Sequence, residues 1–324
     1  MTLRALVTGA GGFLGSHLTR ELVAQGDEVH VLLRAPDAAW RLEDVQSSLG
    51  VCRGDLFDGA SLRAAIATAR PHVLFHLAGD TRGRSDEDHD PRPLFETNVV
   101  GTSNLLSAVV EACPTPPLIV RTGTLLEYGN APAPFHEATP EVPSSSYAAT
   151  QLTATTLARA VASAERLRLI TVRLGLCYGP ARRLGSFIPD LAFRAAVGGV
   201  FDVRSPDQLR APLYVTDAVG VLLAAARWGI NEARAPELFN ACGAEVLTLE
   251  AIVARAARLA GEGWTVRHLA APRARGAVSA CYCDNARARQ RLGWSPLVGL
   301  DAGLRATLEW YRSALPKLSP EHLR

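Results

Sequence analysis

A glycine-rich turn near the start of the chain constrains the fold more than any other feature. The apolar run of residues 3–8 predicts a buried strand, and the apolar spacing of residues 16–25 predicts a helix. Between them stand Gly9, Gly12 and Gly15, where glycines allow a tight turn, a close approach to pyrophosphate and close helix packing. A helix N-terminus also attracts phosphate. The segment therefore predicts a dinucleotide-binding turn that includes Phe13 and Leu14.

Alternating strands and helices follow this turn. The predicted strands are residues 28–33, 51–53, 73–77 and 118–122, and the predicted helices are residues 62–69 and 98–112. This order predicts a doubly wound α/β domain with a parallel sheet, the Rossmann fold. Cofactors lie at the carboxyl edge of such a sheet. The residues expected at that edge are Asp55, Leu56, Leu77, Ala78 and Gly79.

The end of the second predicted strand bears on the choice between the two nicotinamide cofactors. An acidic residue there accepts a hydrogen bond from the ribose hydroxyl of NAD, whereas an arginine suits the additional phosphate of NADP. The chain has Leu33 and Arg34 at this point. The sequence therefore favours NADP(H) over NAD(H), with a merely solvated Arg34 as the alternative.

Composition excludes several other classes of protein. The 324 residues include 48% hydrophobic residues, enough for a sizeable core, and the formal net charge of +2 does not suit a nucleic-acid partner. No apolar stretch is long enough to span a membrane, and a strand beginning near residue 3 leaves no room for a signal peptide. The six cysteines are scattered and lack metal-ligand spacing. We expect a cytoplasmic protein with reduced thiols and no metal.

Together these motifs resemble the extended short-chain dehydrogenase/reductases, in their branch of nucleotide-sugar epimerases, dehydratases and ketoreductases. The resemblance implies a Rossmann domain of residues 1–174 and 211–241, and a small substrate-binding cap of residues 175–210 and 242–324. It also implies a homodimer. The motifs that carry it run in one order through the chain: Gly9-x-x-Gly12-x-x-Gly15, Gly54-Asp55-Leu56, His76-Leu77-Ala78-Gly79, Asn98-Val99-Val100-Gly101-Thr102, Glu127-Tyr128-Gly129, Tyr147, Tyr178-Gly179-Pro180, Tyr214-Val215-Thr216-Asp217 and Leu292-Gly293-Trp294-Ser295-Pro296.

The resemblance also assigns roles to residues. Thr124 would hydrogen-bond a carbonyl or alkoxide oxygen, Tyr147 would exchange a proton with it, and Asn98 would lie near the cofactor. The family lysine four residues after this tyrosine is replaced by Gln151. A glutamine can bind the nicotinamide ribose, but it brings no positive charge to lower the tyrosine pKa. Restoring the charge with Gln151→Lys is therefore expected to raise the rate several-fold.

The neutral Gln151 bears on the type of reaction. Alcohol oxidation needs an ionised tyrosine, whereas ketone reduction needs the protonated form that already dominates. An epimerase, which oxidises and then reduces, should therefore suffer more than a ketoreductase. The acidic pair that follows the threonine in 4,6-dehydratases is replaced by Leu125 and Leu126, and we interpret Glu127 as structural.

Substrate contacts are expected from the second half of the chain and from two loops. The resemblance suggests that Arg210 contacts a diphosphate; equally, it could cap its loop by pairing with Asp207 or Asp217. Leu176 replaces an asparagine usual in enzymes of nucleotide sugars, which argues against a sugar nucleotide. The residues expected to border the substrate are Thr81 in the charged loop 80–92, the loop 135–141, Thr124, Tyr147, Leu176, Phe187 and Arg210.

The sequence thus favours an NADP(H)-dependent ketoreductase acting on a nucleotide-linked 4-keto-6-deoxyhexose or a similar ketone. One alternative is a nucleotide-sugar epimerase. Another is a redox-silent protein of the same fold that binds the cofactor or substrate, or performs non-redox chemistry. A third is that Gln151 was introduced deliberately to trap a complex.

Overall fold

The computed structural model describes residues 2–35, 40–81, 90–269 and 277–314. Its strands are β1 (Arg4–Thr8), β2 (Glu28–Leu33), β3 (Leu49–Arg53), β4 (Val73–His76), β5 (Leu118–Thr124), β6 (Leu169–Leu174), β7 (Cys177–Tyr178), β8 (Gly199–Val203), β9 (Leu209–Arg210), β10 (Leu213–Tyr214), β11 (Glu237–Ala241), β12 (Leu247–Thr248), β13 (Trp264–His268) and β14 (Ala280–Cys281). Its α-helices are α1 (Phe13–Ala24), α2 (Gly59–Ala69), α3 (Arg92–Phe95), α4 (Gly101–Ala112), α5 (Ser146–Ala164), α6 (Phe187–Val197), α7 (Val215–Glu232), α8 (Leu249–Ala260) and α9 (Leu300–Ala314).

Seven parallel strands form the central sheet in the order β3-β2-β1-β4-β5-β6-β11. The strand order reverses beside β1, the usual place for a dinucleotide. The central strands are apolar on both faces because helices cover both sides of the sheet. The predicted doubly wound fold is confirmed, with two further strands, β6 and β11, extending the sheet.

Helices on opposite faces give the sheet two separate cores. Apolar side chains of α1 and α7 pack on one face, and those of α2, α4 and α5 pack on the other. In the described chain, no helix is both long and apolar enough to cross a membrane.

The remaining elements form smaller layers beside the carboxyl edge of the sheet. Short sheets join β8 with β13, β7 with β10, and β9 with β12 and β14. Helices α6, α8 and α9 pack around an apolar cluster that includes Tyr178, Ile188 and Leu304. Helix α6 ends at Val197, and β8 begins two residues later at Gly199. The domain boundaries given above stay a prediction.

Candidate active site

The glycine turn after β1 has the shape that a dinucleotide needs. Gly9 has a φ of +73°, and a Cβ there would lie 2.5 Å from the backbone nitrogen of Ala78. A Cβ on Gly15 would collide with the carbonyl of Gly9. Gly12 begins α1 without a side-chain cap, so the first-turn amide groups remain suited to a pyrophosphate. Phe13 and Leu14, the first residues of α1, are partly buried.

Two arginines stand at the neighbouring strand ends. Arg34 follows β2 and is exposed, while β3 ends at Arg53, which is exposed and pairs in register with Leu33. The sequence analysis did not single out Arg53, because only strand pairing brings it beside Arg34. Asp55 shapes the next turn by accepting a hydrogen bond from the backbone of Phe57 at 2.9 Å. Leu56 is buried.

A cavity of about 60 Å³ lies at the carboxyl edge of the sheet. It brings together seven of the predicted site residues: Leu77, Ala78, Gly79, Thr81, Asn98, Tyr147 and Gln151. Its other lining residues are His76, Thr102, Arg121, Thr122 and Gly123. Residues distant in sequence therefore converge on one small polar space.

Helix α5 presents Tyr147 and Gln151 to this cavity. The hydroxyl of Ser145 caps the helix by accepting a hydrogen bond from the backbone of Ala148 at 3.2 Å. Tyr147 is 4% exposed and Gln151 is 8% exposed. Because they are four residues apart, both lie on the helix face that packs against the sheet.

Thr124 lies at the end of β5, next to the cavity-lining Thr122 and Gly123. Its backbone nitrogen donates to Glu127 Oε1 at 2.8 Å, and its hydroxyl oxygen accepts from the backbone of Leu126 at 3.3 Å. The carboxylate of Glu127 thus fixes the backbone that carries Thr124. The catalytic role of Thr124 stays a prediction.

The carboxylate of Glu127 is held by a buried ion pair. Arg173 on β6 donates to Glu127 Oε2 at 2.8 Å, and both side chains are fully buried. Thr155 on α5 also donates to Glu127 Oε2 at 2.8 Å. Glu127 therefore ties β5, β6 and α5 together, which agrees with its interpretation as structural.

Asn98 positions the loop that leaves β4. Its Oδ1 accepts from the backbone nitrogen of Asp80 at 2.7 Å, and its Nδ2 donates to the Asp80 carbonyl at 3.0 Å and to Thr150 Oγ1 at 3.2 Å. It lies in a π-helical turn, Glu96–Val100, where the sequence predicted the start of an α-helix. The amide is thus committed to protein groups, and its contact with a cofactor stays a prediction.

His76 is a buried, neutral part of the cavity wall. Thr8 Oγ1 lies 2.8 Å from its Nδ1, and Thr102 Oγ1 lies 3.0 Å from its Nε2. Since Thr102 donates its own proton to the Asn98 carbonyl, His76 donates from Nε2 and accepts at Nδ1. Burial and, secondarily, the charge of Arg121 lower the pKa of His76 to about 3.

Arg121 is a site residue that the sequence analysis missed. It lies on β5, is 3% exposed, and lines the cavity. Its Nη1 donates to Thr155 Oγ1 at 2.6 Å. A charged residue inside an apolar strand was the available signal in the sequence. The direction of its side chain, however, depends on how β5 faces α5.

Leu176, Phe187 and Arg210, three of the residues expected to border the substrate, do not line this cavity. Leu176 and Phe187 are partly buried against the apolar cluster that includes Tyr178, Ile188 and Leu304. The guanidinium of Arg210 donates to Gln208 and to the Leu209 and Val278 carbonyls at 2.7–3.0 Å.

Neither expected role of Arg210 is settled by these contacts. Asp217 accepts instead from the backbone nitrogens of Leu297 and Val298. Of the loop 80–92, residues 82–89 lie outside the described chain. In the described ranges no group of three His, Cys, Asp or Glu side chains could hold a metal ion.

Comparison with known proteins gives consistent relationships. The model of the NAD dependent epimerase/dehydratase family matches residues 5–242. A dTDP-glucose 4,6-dehydratase from Xanthomonas campestris pv. campestris (strain B100) is 30% identical, over 94% of this chain and 92% of the relative. A dTDP-6-deoxy-L-talose 4-dehydrogenase (NAD(P)(+)) from Kitasatospora kifunensis is 29% identical, over 90% and 91%. The solved structure of MoeE5 in complex with UDP-glucuronic acid and NAD has a TM-score of 0.83 and 29% identity, covering 96% of this chain and 99% of that one.

Proposed function

Because the chain belongs to the NAD-dependent epimerase/dehydratase family, we propose that it is an NADP(H)-dependent ketoreductase of a nucleotide-linked 4-keto-6-deoxyhexose. One observation carries this proposal. Tyr147 and the uncharged Gln151 line one cavity at the carboxyl edge of the sheet, while apolar Leu125 and Leu126 follow Thr124. The site therefore offers a proton donor for reduction without an acidic pair for elimination.

In this reaction the ketone gains a hydride at carbon and a proton at oxygen. A reduced nicotinamide, when bound, would supply the hydride with both its electrons. Tyr147 gives its phenolic proton to the carbonyl oxygen, the C=O π bond becomes an O–H bond, and solvent later reprotonates Tyr147. Thr124 orients the carbonyl through its hydroxyl, and Gln151 binds the ribose hydroxyls.

Dehydration and epimerisation fit these residues less well. Leu125 is fully buried in a cluster with Tyr128 and Phe135, and as a hydrocarbon side chain it has no group that could transfer the protons of an elimination. An epimerase also needs Tyr147 as a base in its oxidising half-reaction. With Gln151 uncharged, that half-reaction is the harder one.

The preference for NADP(H) is supported by the arginines at the strand ends. Arg34 directly follows β2 and Arg53 is the last residue of β3, and both are exposed at the sheet edge where the adenosine ribose lies in this fold. Guanidinium groups bind phosphate through paired, charge-assisted hydrogen bonds.

The substrate class is supported by the relatives. The 4-dehydrogenase named above oxidises a dTDP-linked 6-deoxyhexose, and reversal of that chemistry reduces a 4-keto group. Thr81, which lines the cavity, together with Leu176, Phe187 and Arg210 would border the sugar nucleotide. Activity as a cytoplasmic homodimer completes the proposal, and sedimentation of the purified protein measures the oligomeric state.

Turnover of a defined ketosugar tests the proposal. We expect the protein to consume NADPH, followed by its absorbance, with dTDP-4-keto-6-deoxyglucose, and to consume NADH more slowly. The enzyme-free mixture is the control. Cofactor binding without consumption across a panel of ketosugar nucleotides would favour a redox-silent protein. Interconversion of UDP-glucose and UDP-galactose with NAD⁺ and no net absorbance change would favour the epimerase.

A further inference from the structure

Arg121 occupies an unusual position for a buried cation. In the described part of the chain no carboxylate lies within ion-pair distance of its guanidinium, and its only hydrogen bond is to Thr155. Its Nε is buried without a hydrogen-bond partner. A buried charge with so few partners is costly, so an arginine at this place needs another explanation than stability.

The helix opposite Arg121 provides that explanation. Tyr147, Gln151 and Thr155 follow one another at intervals of four residues, and all three are buried on the face of α5 towards the sheet. Thr155 anchors the guanidinium about one helical turn, roughly 6 Å, beyond Gln151. Arg121 itself lines the same cavity as Tyr147 and Gln151. The cation is therefore held against the same face of α5, one helical turn beyond Gln151 and two turns beyond Tyr147.

A phenol that gives away its proton becomes an anion in a buried site. An unpaired buried anion is unfavourable, and its stabilisation by a cation is strong where water is excluded. Of the described residues that line the cavity, Arg121 is the only cation, because Gln151 is neutral and His76 is kept neutral by burial.

We propose that Arg121 is a positioning residue that stabilises negative charge on Tyr147 from the strand side, while Gln151 contributes hydrogen bonds without charge. This inference rests on the proposed function of Tyr147 as the proton donor.

The surrounding charges agree with this arrangement. Burial and, to a lesser extent, the charge of Arg173 lower the pKa of Arg121, while Glu127 and Tyr147 favour its charged form. The other titratable groups near Arg121 are His76 on β4, Glu127 after β5 and Arg173 on β6. Glu127 and Arg173 are paired with each other.

The first test compares Arg121→Met with Arg121→Lys. We expect Arg121→Met to lower kcat for ketone reduction about fivefold, because only part of a one-unit change in acidity appears in the barrier. Arg121→Lys should recover most of that loss, with NADPH affinity unchanged within about twofold. In addition, Gln151→Lys should raise kcat at least about fivefold more in the Arg121→Met background than in the unmodified protein. Equal losses in the Met and Lys variants, or equal effects of Gln151→Lys in both backgrounds, would overturn the proposal.

A second readout does not depend on turnover. An ultraviolet titration, with Tyr147→Phe as the subtraction control, follows tyrosinate formation at residue 147. Arg121→Met should move the midpoint of this titration to higher pH by about one unit, which is about a tenfold change in the ionisation constant. Arg121→Lys should leave the midpoint where it is. An unmoved titration overturns the role of Arg121 even in an active enzyme. A moved titration in a protein that reduces no ketone would instead contradict the proposed function.

Discussion

Two buried arginines on neighbouring strands have opposite surroundings. Arg173 on β6 is fully buried, contacts Glu127 and Glu141 at 2.8 and 3.0 Å, and lies 4.5 Å from the centre of the Tyr128 ring. Arg121 on β5 has one hydroxyl partner. Burial alone would lower the pKa of both, but Glu127 and Tyr128 reverse the direction for Arg173, which is raised, and Arg121 stays lowered.

The difference shows that one sheet can carry an arginine that stabilises the fold beside another that is placed at the site. Each arginine has one fully buried guanidinium nitrogen without a hydrogen-bond partner, Nε of Arg121 and Nη1 of Arg173. Of the two, only Arg121 lines the cavity beside Tyr147. The charge of Arg173 is neutralised within the fold, whereas the charge of Arg121 remains directed to the site.

The largest expected effect is on stability, from Arg173→Met. Removing this guanidinium leaves Glu127 charged and buried, so the free energy of unfolding should fall by about 3–5 kcal/mol. Arg121→Met should cost less than half as much, because no carboxylate loses its partner. Denaturant unfolding measures both, and Arg173→Met combined with Glu127→Gln should recover part of the loss. Similar losses for the two single variants would remove the contrast.

Next in size is the loss of turnover from Tyr147→Phe. General acid catalysis is worth about a hundredfold or more, so kcat should fall at least that far, with cofactor affinity within a few-fold. Tyr128→Phe is the matched control, because the buried hydroxyl of Tyr128 donates to Asn240 Oδ1 at 3.0 Å and Tyr128 does not line the cavity. That control should lose stability by about 1 kcal/mol and retain turnover. Comparable kcat values for Tyr147→Phe and Tyr128→Phe would show that the reaction does not take place at the cavity that Tyr147 lines.

The neutral His76 on the cavity wall gives a dependence of stability on pH. Its pKa is about 3 when folded, well below the ordinary histidine value of about 6.5. Below the unfolded value, the unfolded chain binds a proton that the folded protein does not. As the pH is lowered below the unfolded pKa, this group therefore reduces the free energy of unfolding by up to about 1.4 kcal/mol per pH unit, until the folded pKa is reached. The free energy of unfolding, measured at about pH 7 and about pH 4.5, should change less with pH in His76→Asn than in the unmodified protein.

His136 provides the control for this measurement. It is exposed, so His136→Asn should leave the slope as it is. An unchanged slope in His76→Asn would mean that the folded protein can protonate His76, which does not fit its enclosure between Thr8 and Thr102.

The smallest effect is expected at an exposed arginine. Arg34→Ala should lower the preference for NADPH over NADH, measured as the ratio of kcat/KM values, by about tenfold. Stability should stay within about 0.5 kcal/mol, since the side chain lies in water. Arg53→Ala should lower the preference less. An unaltered preference in Arg34→Ala would contradict the proposed contact with the additional phosphate.

Local sequence signals were sufficient for the fold and the family. The glycine turn and the apolar strands predicted the parallel sheet, and the resemblance drawn from the ordered motifs is confirmed by the family model. Two-residue strands such as β9 and β10 are too short to leave a periodic pattern.

The missed part of the site arises from contacts between distant segments. Arg121 faces α5 only because β5 pairs with β4 and β6 beneath that helix. Likewise, Asn98 carried a motif in the sequence, but its bonds to Asp80 and Thr150 require three separate segments to meet.

The most direct test of hydride transfer uses reduced NADP carrying deuterium at the transferring position. With a dTDP-linked 4-keto-6-deoxyhexose, the account predicts a product alcohol with one deuterium on sugar carbon 4, formed far more slowly by Tyr147→Phe. Product without deuterium at that carbon would contradict hydride transfer to the ketone. So would labelled cofactor that remains intact after incubation with a saturating concentration of the substrate.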